Sequence, residues 1–195
     1  MMRSIAVAAI FAFGVAASAG AETYQIDASH STIGFRIRHL VGKVKGRFDT
    51  FEGTFDHVDG KPAAWKAAAV IEAASVNTAN AKRDDHLRNP DFFNVEKCPK
   101  LEFVSKKVTE VKGNTAKLHG DLTMLCVTKP VVLDLEIGGV IKEKDGLRAG
   151  ALASGKLSRK EFKLLYNKIL EAGGVAIGDE VEIDVEIEGT AGKKG

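Results

Sequence analysis

The chain has 195 residues, 45% hydrophobic and 28% charged, with 28 Lys and Arg against 26 Asp and Glu. That is the composition of a soluble globular domain, neither disordered nor fibrous, and a net charge of +2 falls far short of the basic excess of a phosphate-tracking surface, so no nucleic acid is expected as partner. Four Pro and two Cys exclude collagen, Pro-rich linkers and a disulfide-dense miniprotein.

At the amino end, Arg3 precedes an almost unbroken apolar run from Ile5 to Ala19, which ends in the small residues Ala17-Ser18-Ala19-Gly20-Ala21. A positive start, an apolar stretch and small residues predict a cleavable signal peptide over residues 1–21, cut before Glu22, with Ala17-Ser18-Ala19 as a competing site. The run is short of the ~20 apolar residues that cross a bilayer. Residues 22–195 are therefore expected to be a single domain on the far side of the membrane, and a chain of that length buries roughly 70% of its unfolded surface in one core.

Period-two alternation organises the remainder of the chain. Tyr24 to Ile26 reads as a short strand. Ile33, Phe35 and Ile37 then face one way and Thr32, Arg36 and Arg38 the other. Gly42 to Phe48 and Thr50 to Phe55 are further strands, and Trp65 to Val76 carries Ala67, Ala69, Ile71 and Ala73 on one face. Thr78 to Asn89, stopped by Pro90, is polar and predicts a short surface helix or lid. Leu101 to Val111 and Thr115 to Leu125 flank Gly113-Asn114, a hairpin turn by composition. Val131, Leu133, Leu135 and Ile137 alternate with Asp134 and Glu136, and Arg148 to Leu157 has Ala149, Ala151, Ala153 and Gly155 on one face. Ser158 and Glu161 read as a capping box ahead of Phe162, Leu165, Tyr166 and Ile169, which predicts an amphipathic helix from Ser158 to Ala172. The last strand sets Val181, Ile183, Val185 and Ile187 against Glu180, Glu182, Asp184, Glu186 and Glu188. Many short sequential strands, each with one apolar face, predict an all-β fold, an antiparallel sandwich or closed barrel with one or two short helices.

Several motifs recur in a fixed order. They begin with Asp27-x-x-His30-Ser31-x-x-x-Phe35-x-x-x-His39 and Gly46-x-Phe48-x-x-Phe51-x-Gly53. Ser75-Val76-x-Thr78, Arg83-Asp84-x-His86-Leu87 and Phe92-Phe93 come next, then Pro99-x-x-x-Phe103-x-Ser105 and Gly120-x-Leu122-Thr123. Thr128-Lys129-Pro130-Val131, Arg159-x-x-Phe162 and Gly178-Asp179-Glu180-Val181 complete the set. Spread from Tyr24 to Glu188, they resemble the YceI-like family of periplasmic lipid-binding proteins. The resemblance implies an extended lipocalin-like antiparallel β-barrel of about eight strands or slightly more, holding a long isoprenoid lipid, with no metal, no other cofactor and no covalent chemistry. Two positions depart from it: glycine is usual in the family where this chain has Cys126 and Lys163.

A barrel of this size is just wide enough to be filled by its own side chains or to house one slender ligand. The Ala faces leave room if they point inward, or pack on the predicted helix if they do not. An apolar chain needs only apolar contact, so the candidate lining is Phe35, Ile37, Phe48, Phe55, Ile71, Phe103, Leu122, Leu133 and Leu135. Arg36, Arg38, Lys43 and Lys45 are candidates for an anionic headgroup or a transient membrane-surface contact, although alternation with Ile37 equally makes them a solvated outer face. The five His residues lack metal-binding spacing, and His30 and His39 are expected to make buried hydrogen bonds that fix strand ends. No Gly-x-Ser-x-Gly elbow occurs. Asp27, His30 and Ser31 lie within five residues and are not expected to converge, so no enzyme activity is expected.

Cys98 and Cys126 are an even pair in an oxidising compartment and are expected to form a disulfide, closing a loop of about 29 residues. A hairpin turned at Gly113-Asn114 opposes this, because it sets Cys126 opposite Leu101 and leaves Cys98 about 10 Å away. The expected function is a periplasmic carrier for a polyprenyl or quinone-type chain, as a monomer or homodimer. The alternative is a stress-related protein with a filled barrel that acts through its outer surface.

Overall fold

The computed structural model describes residues 21–169 and 175–192. The predicted signal peptide lies outside them but for its last residue, as does the end of the predicted second helix.

Among the described residues, eleven strands and one α-helix follow one another: β1 Glu22–Ile26, β2 Thr32–His39, β3 Gly42–Phe48, β4 Phe51–His57, β5 Lys66–Glu72, β6 Val76–Asn77, α1 Ala81–Arg88, β7 Lys100–Lys112, β8 Thr115–Met124, β9 Val127–Glu143, β10 Gly146–Ser158 and β11 Ile177–Gly192. Eight of them, in the order β1-β4-β5-β7-β8-β9-β10-β11, form an antiparallel ring that β1 closes against β11. The remaining three lengthen its wall. Beyond β1, β2 continues along β11, β3 pairs with β2, and β6 pairs with β3. The early strands are broken by a 3-10 turn at Ala28–His30, by Asp49 and Thr50, and by a second 3-10 turn at Ala73–Ser75. The expected all-β closed barrel is what the chain forms, except that Trp65 to Val76 is interrupted rather than one strand.

The hairpin at Gly113-Asn114 is present, but its register is not the one simple counting gives. Shifts between Ser105 and Lys107 and between Thr109 and Lys112 move Glu102 opposite Thr123. Each bulge adds a residue to one strand, so Cys126 leaves the ladder and enters the tight turn between β8 and β9. Leu125 and Cys126 there have φ of 53° and 57°, both central positions left-handed, as in a type I′ hairpin turn. Cys98 and Cys126 consequently lie 5.6 Å apart at Cα and are disulfide-bonded, well inside the limit for a bridge.

The second predicted helix does not form. Among its described residues only a 3-10 turn at Arg159–Phe162 is present, ended by Lys163 at φ 64°. The Ser158 hydroxyl donates to Asp179 instead of capping. Arg159 donates to the carbonyls of Leu164 and Tyr166, so the segment's backbone acceptors are held by a side chain rather than by helical amides. Phe162 and Leu164 are buried while Leu165 and Ile169 are exposed, which is not a helical stripe. The Ala faces thus have no such helix to pack against. Cys126 and Lys163, the two positions that depart from the resemblance, both prove to be left-handed positions that glycine adopts without strain.

α1 forms as expected and crosses one end of the barrel. Asn80 caps it by accepting from the Arg83 amide, and the buried Asp84 carboxylate accepts from the Thr78 amide and hydroxyl. Behind α1, Phe93 meets Phe48 with ring centroids 5.6 Å apart, in a buried cluster that also holds Ile71, Leu101 and Phe162. At the opposite end Tyr24, Phe55, Ala149 and Ala191 make a separate packed cluster.

Candidate ligand-binding cavity

Between the two ends the barrel encloses a cavity of about 260 Å³. Alternation builds its wall: Ile33, Phe35 and Ile37 come from β2, Val131, Leu133 and Leu135 from β9, and Val181, Ile183, Val185 and Ile187 from β11. Ala67 and Ala69 of β5 and Ala151 and Ala153 of β10 supply the small side chains that leave room. Ala149 instead joins the packed end, and Ala73 is buried in the 3-10 turn after β5. All nine candidate lining residues, Phe35, Ile37, Phe48, Phe55, Ile71, Phe103, Leu122, Leu133 and Leu135, lie on this cavity. Two of the rings sit close to backbone: a Cβ at Gly46 would come within 2.4 Å of Phe35, and one at Gly120 within 2.5 Å of Phe103. Only glycine lets these rings approach their neighbouring strand.

Among the described residues, Lys66 and Arg159 are the only charged ones in the lining. Sequence reasoning did not single out Arg159 as a site residue. Its position just after a strand that alternates Ala with polar residues is a signal of burial, but a capping-box reading directs it to solvent. Arg159 is 3% exposed, and burial lowers its pKa against the opposing pull of Asp179. Also unforeseen is a second hollow, of about 310 Å³, that shares Leu87, Phe92 and Ile177 with the cavity. His39, Arg83, His86, Tyr166 and Lys168 line its polar side, and His86, Phe92 and Tyr166 form a ring cluster with centroids 5.0 Å apart. It makes the α1 end the more open one.

The four candidate headgroup cations are elsewhere. Arg36, Arg38, Lys43 and Lys45 line neither hollow, because residues that alternate with Ile33, Phe35 and Ile37 face outward. Arg36 Nε lies 3.4 Å from Glu182, and Lys43 bonds the same carboxylate, lowering its pKa. They are the wet side of the wall. His30 and His39 are exposed rather than buried. His30 pairs with Asp27 at 2.7 Å. Hydrogen bonds from Ser29, His30 and Arg148 hold the Asp27 carboxyl well below the usual carboxylate range. The Ser31 hydroxyl meanwhile donates to the Glu188 carbonyl and accepts from the Glu188 amide. Asp27 and His30 thus meet, but Ser31 is engaged with backbone and the three make no nucleophile relay. Among the described residues no group of three or more His, Cys, Asp or Glu could hold a metal ion.

The YceI-like domain matches residues 24–189. The chain belongs to the YceI-like family. A UPF0312 protein of Staphylococcus aureus strain USA300 is 36% identical over 168 residues, which is 85% of this chain and 95% of that protein. The crystal structure of the Campylobacter jejuni YceI protein shares 35% identity and a TM-score of 0.68, covering 81% of this chain and 90% of that one. At lower identity the same fold appears in Burkholderia cenocepacia BcnA, with 19% identity, TM-score 0.73, and coverage of 84% and 98%. It appears again in a polyisoprenoid-binding domain from Saccharophagus degradans implicated in plant cell wall breakdown, with 16% identity, TM-score 0.62, and coverage of 86% and 98%. In this YceI-like chain the motif residues divide between cavity wall, as with Phe35, Phe48 and Phe103, and scaffold, as with Asp27 and Asp84.

Proposed function

We propose that this YceI-like protein is a periplasmic carrier that holds a long isoprenoid lipid, a polyprenyl or quinone-type chain, inside its barrel and performs no chemistry on it. The observation that carries this reading is an interior cavity whose lining is apolar along its length, with charge only at Lys66 and Arg159. Burial of CH₂ and CH₃ groups contributes roughly 0.8 kcal/mol each and needs no positioned polar atoms. At about 24 cal/mol per Å³, an apolar occupant of a 260 Å³ space contributes on the order of 6 kcal/mol. The polyisoprenoid-binding domain of the same fold supports the choice of ligand class, and the room left by Ala67, Ala69, Ala151 and Ala153 speaks against a filled barrel acting only through its exterior.

The apolar amino-terminal run and the Cys98–Cys126 disulfide support an oxidising compartment outside the cytoplasm. Leu40 and Val41, at the tip between β2 and β3, are exposed, and the Leu40 amide bonds the Ala176 carbonyl beside the exposed Val175 and Ile169. This apolar rim next to the second hollow suits loading from a membrane surface, with Lys43 and Lys45 nearby for anionic lipid.

The test is mass spectrometry of organic extracts from protein purified out of the periplasm. A prenyl species is expected in wild type and its loss in Ala153→Phe, which fills the cavity while the fold remains by circular dichroism. No prenyl species, together with no binding of added prenyl ligand, would sink the reading.

A further inference from the structure

The cavity stops at two rings. Phe55 and Trp65 lie on it, whereas Tyr24, Val108, Ala116, Ala149 and Ala191, buried around the same end, do not. Those five form the layer behind the rings and fill the space beyond them. Trp65 comes just before β5, where β4 ends and the 3-10 turn Pro62–Ala64 lies against β7. From there it joins a buried cluster with Val108 of β7, Leu118 of β8, and Leu133 and Leu135 of β9, so the indole reaches across the barrel from one wall toward the other. It is fixed in that position. Its Nε1 donates to the Val58 carbonyl at 3.3 Å, the His57 ring meets it edge-to-face, and the residue is 6% exposed. The α1 end is different, because there the second hollow shares Leu87, Phe92 and Ile177 with the cavity.

We propose that Trp65, backed by Phe55, is the floor that sets how long a chain the barrel holds, and that the chain enters tail first from the α1 end. This rests on the carrier reading and adds to it a residue that determines specificity. Each isoprene unit that enters buries further CH₂ and CH₃ groups, so affinity climbs with length until the tail meets the indole. Units beyond that length stay outside the cavity at the α1 end and add little.

The experiment uses the full chain, stripped of lipid, with cyclodextrin-solubilised prenyl alcohols of increasing length, from geraniol through farnesol and geranylgeraniol to longer polyprenols. Calorimetry gives the affinities. In the wild type, affinity is expected to rise about tenfold or more per isoprene unit and then to level off. Trp65→Ala removes an indole at least as large as an isoprene unit, so levelling is expected at a chain about one unit longer. Phe35→Leu, in the wall toward the α1 end, is expected to weaken every chain and leave the levelling length where it was. Trp65 is also the only tryptophan of the chain, so its fluorescence reports on the floor alone. At the levelling length, an alcohol brominated on its terminal unit is expected to quench that fluorescence, and the same alcohol brominated beside the hydroxyl is not. Affinity that climbs without levelling, a levelling length unmoved in Trp65→Ala, or stronger quenching by the bromine beside the hydroxyl would overturn the floor and leave the carrier reading intact. Failure of every prenyl alcohol to bind would instead overturn both. If Trp65→Ala does not fold, the milder Trp65→Leu, expected to move the levelling length the same way, and the wild-type quenching decide.

Discussion

At the β1 end of the barrel Tyr24 stacks on Phe55 with ring centroids 5.2 Å apart, and His57 and Trp65 meet edge-to-face with centroids 4.5 Å apart. At the α1 end Phe92, His86 and Tyr166 also cluster, yet they stand around a hollow. The difference lies in what the rings rest on. Phe55 packs against strand backbone stripped of side chains, since Gly189 leaves no Cβ where one would be 2.6 Å from the ring, and Ala149 and Ala191 are buried beside it. The rings of the α1 end are carried by a helix and irregular segments outside the ladder, held by polar bonds such as those from Arg159 and to Asp84. Small residues on strands close one end; loops bearing large residues leave the other accessible.

Substitutions at the two ends should therefore separate stability from access. Phe55→Ala is expected to cost about 3–5 kcal/mol in urea unfolding, whereas Phe92→Ala at the half-buried end costs about 1 kcal/mol; equal losses would erase the distinction. Next in size is the Cys98–Cys126 bridge, which ties the β8–β9 turn to the segment before β7. Its removal by paired serine substitution is expected to cost about 3 kcal/mol, read as a lower unfolding midpoint. Acid should act on the closed end. Burial lowers the pKa of His57, with Asp59 pulling the other way, so the unfolded chain binds the proton more readily. The contribution of His57 is then complete above about pH 6.5 and lost as pH falls below it. The urea midpoint should drop between pH 7.5 and 5, and His57→Phe should flatten that drop. Smallest is Lys163→Gly, expected to stabilise by about 1 kcal/mol because φ at this position is 64°, with ligand binding unchanged.

Much of the wall could be read from the chain because its two faces differ so plainly: Val181, Ile183, Val185 and Ile187 all reach the cavity. Composition also placed α1 and the Gly113-Asn114 turn. What escaped were effects of contacts distant in sequence. The helix expected after Ser158 is lost to Arg159, whose bonds run to Gly178 and to carbonyls further along. The β7–β8 register escaped because bulges, one of them with Glu110 at φ 53°, have no compositional mark. The cations from Arg36 to Lys45 drew attention by clustering, yet the same alternation that aims Ile37 inward turns them out. The buried cation of the cavity is a single arginine in a turn, which no local pattern announces.

The ring closes between strands from opposite ends of the chain: Ser31 and Glu188, 157 positions apart, exchange hydrogen bonds across that seam. In a chain made from its amino end, β1 and β2 wait with an open edge until β11 exists, whereas β7 to β11 pair successively with sequence neighbours. Unpaired edges recruit other chains, and like charges discourage them. The outward Arg36 and Arg38 on β2, with Lys43 and Lys45 paired across from them on β3, give the waiting edge such a guard in the interval before the barrel is whole.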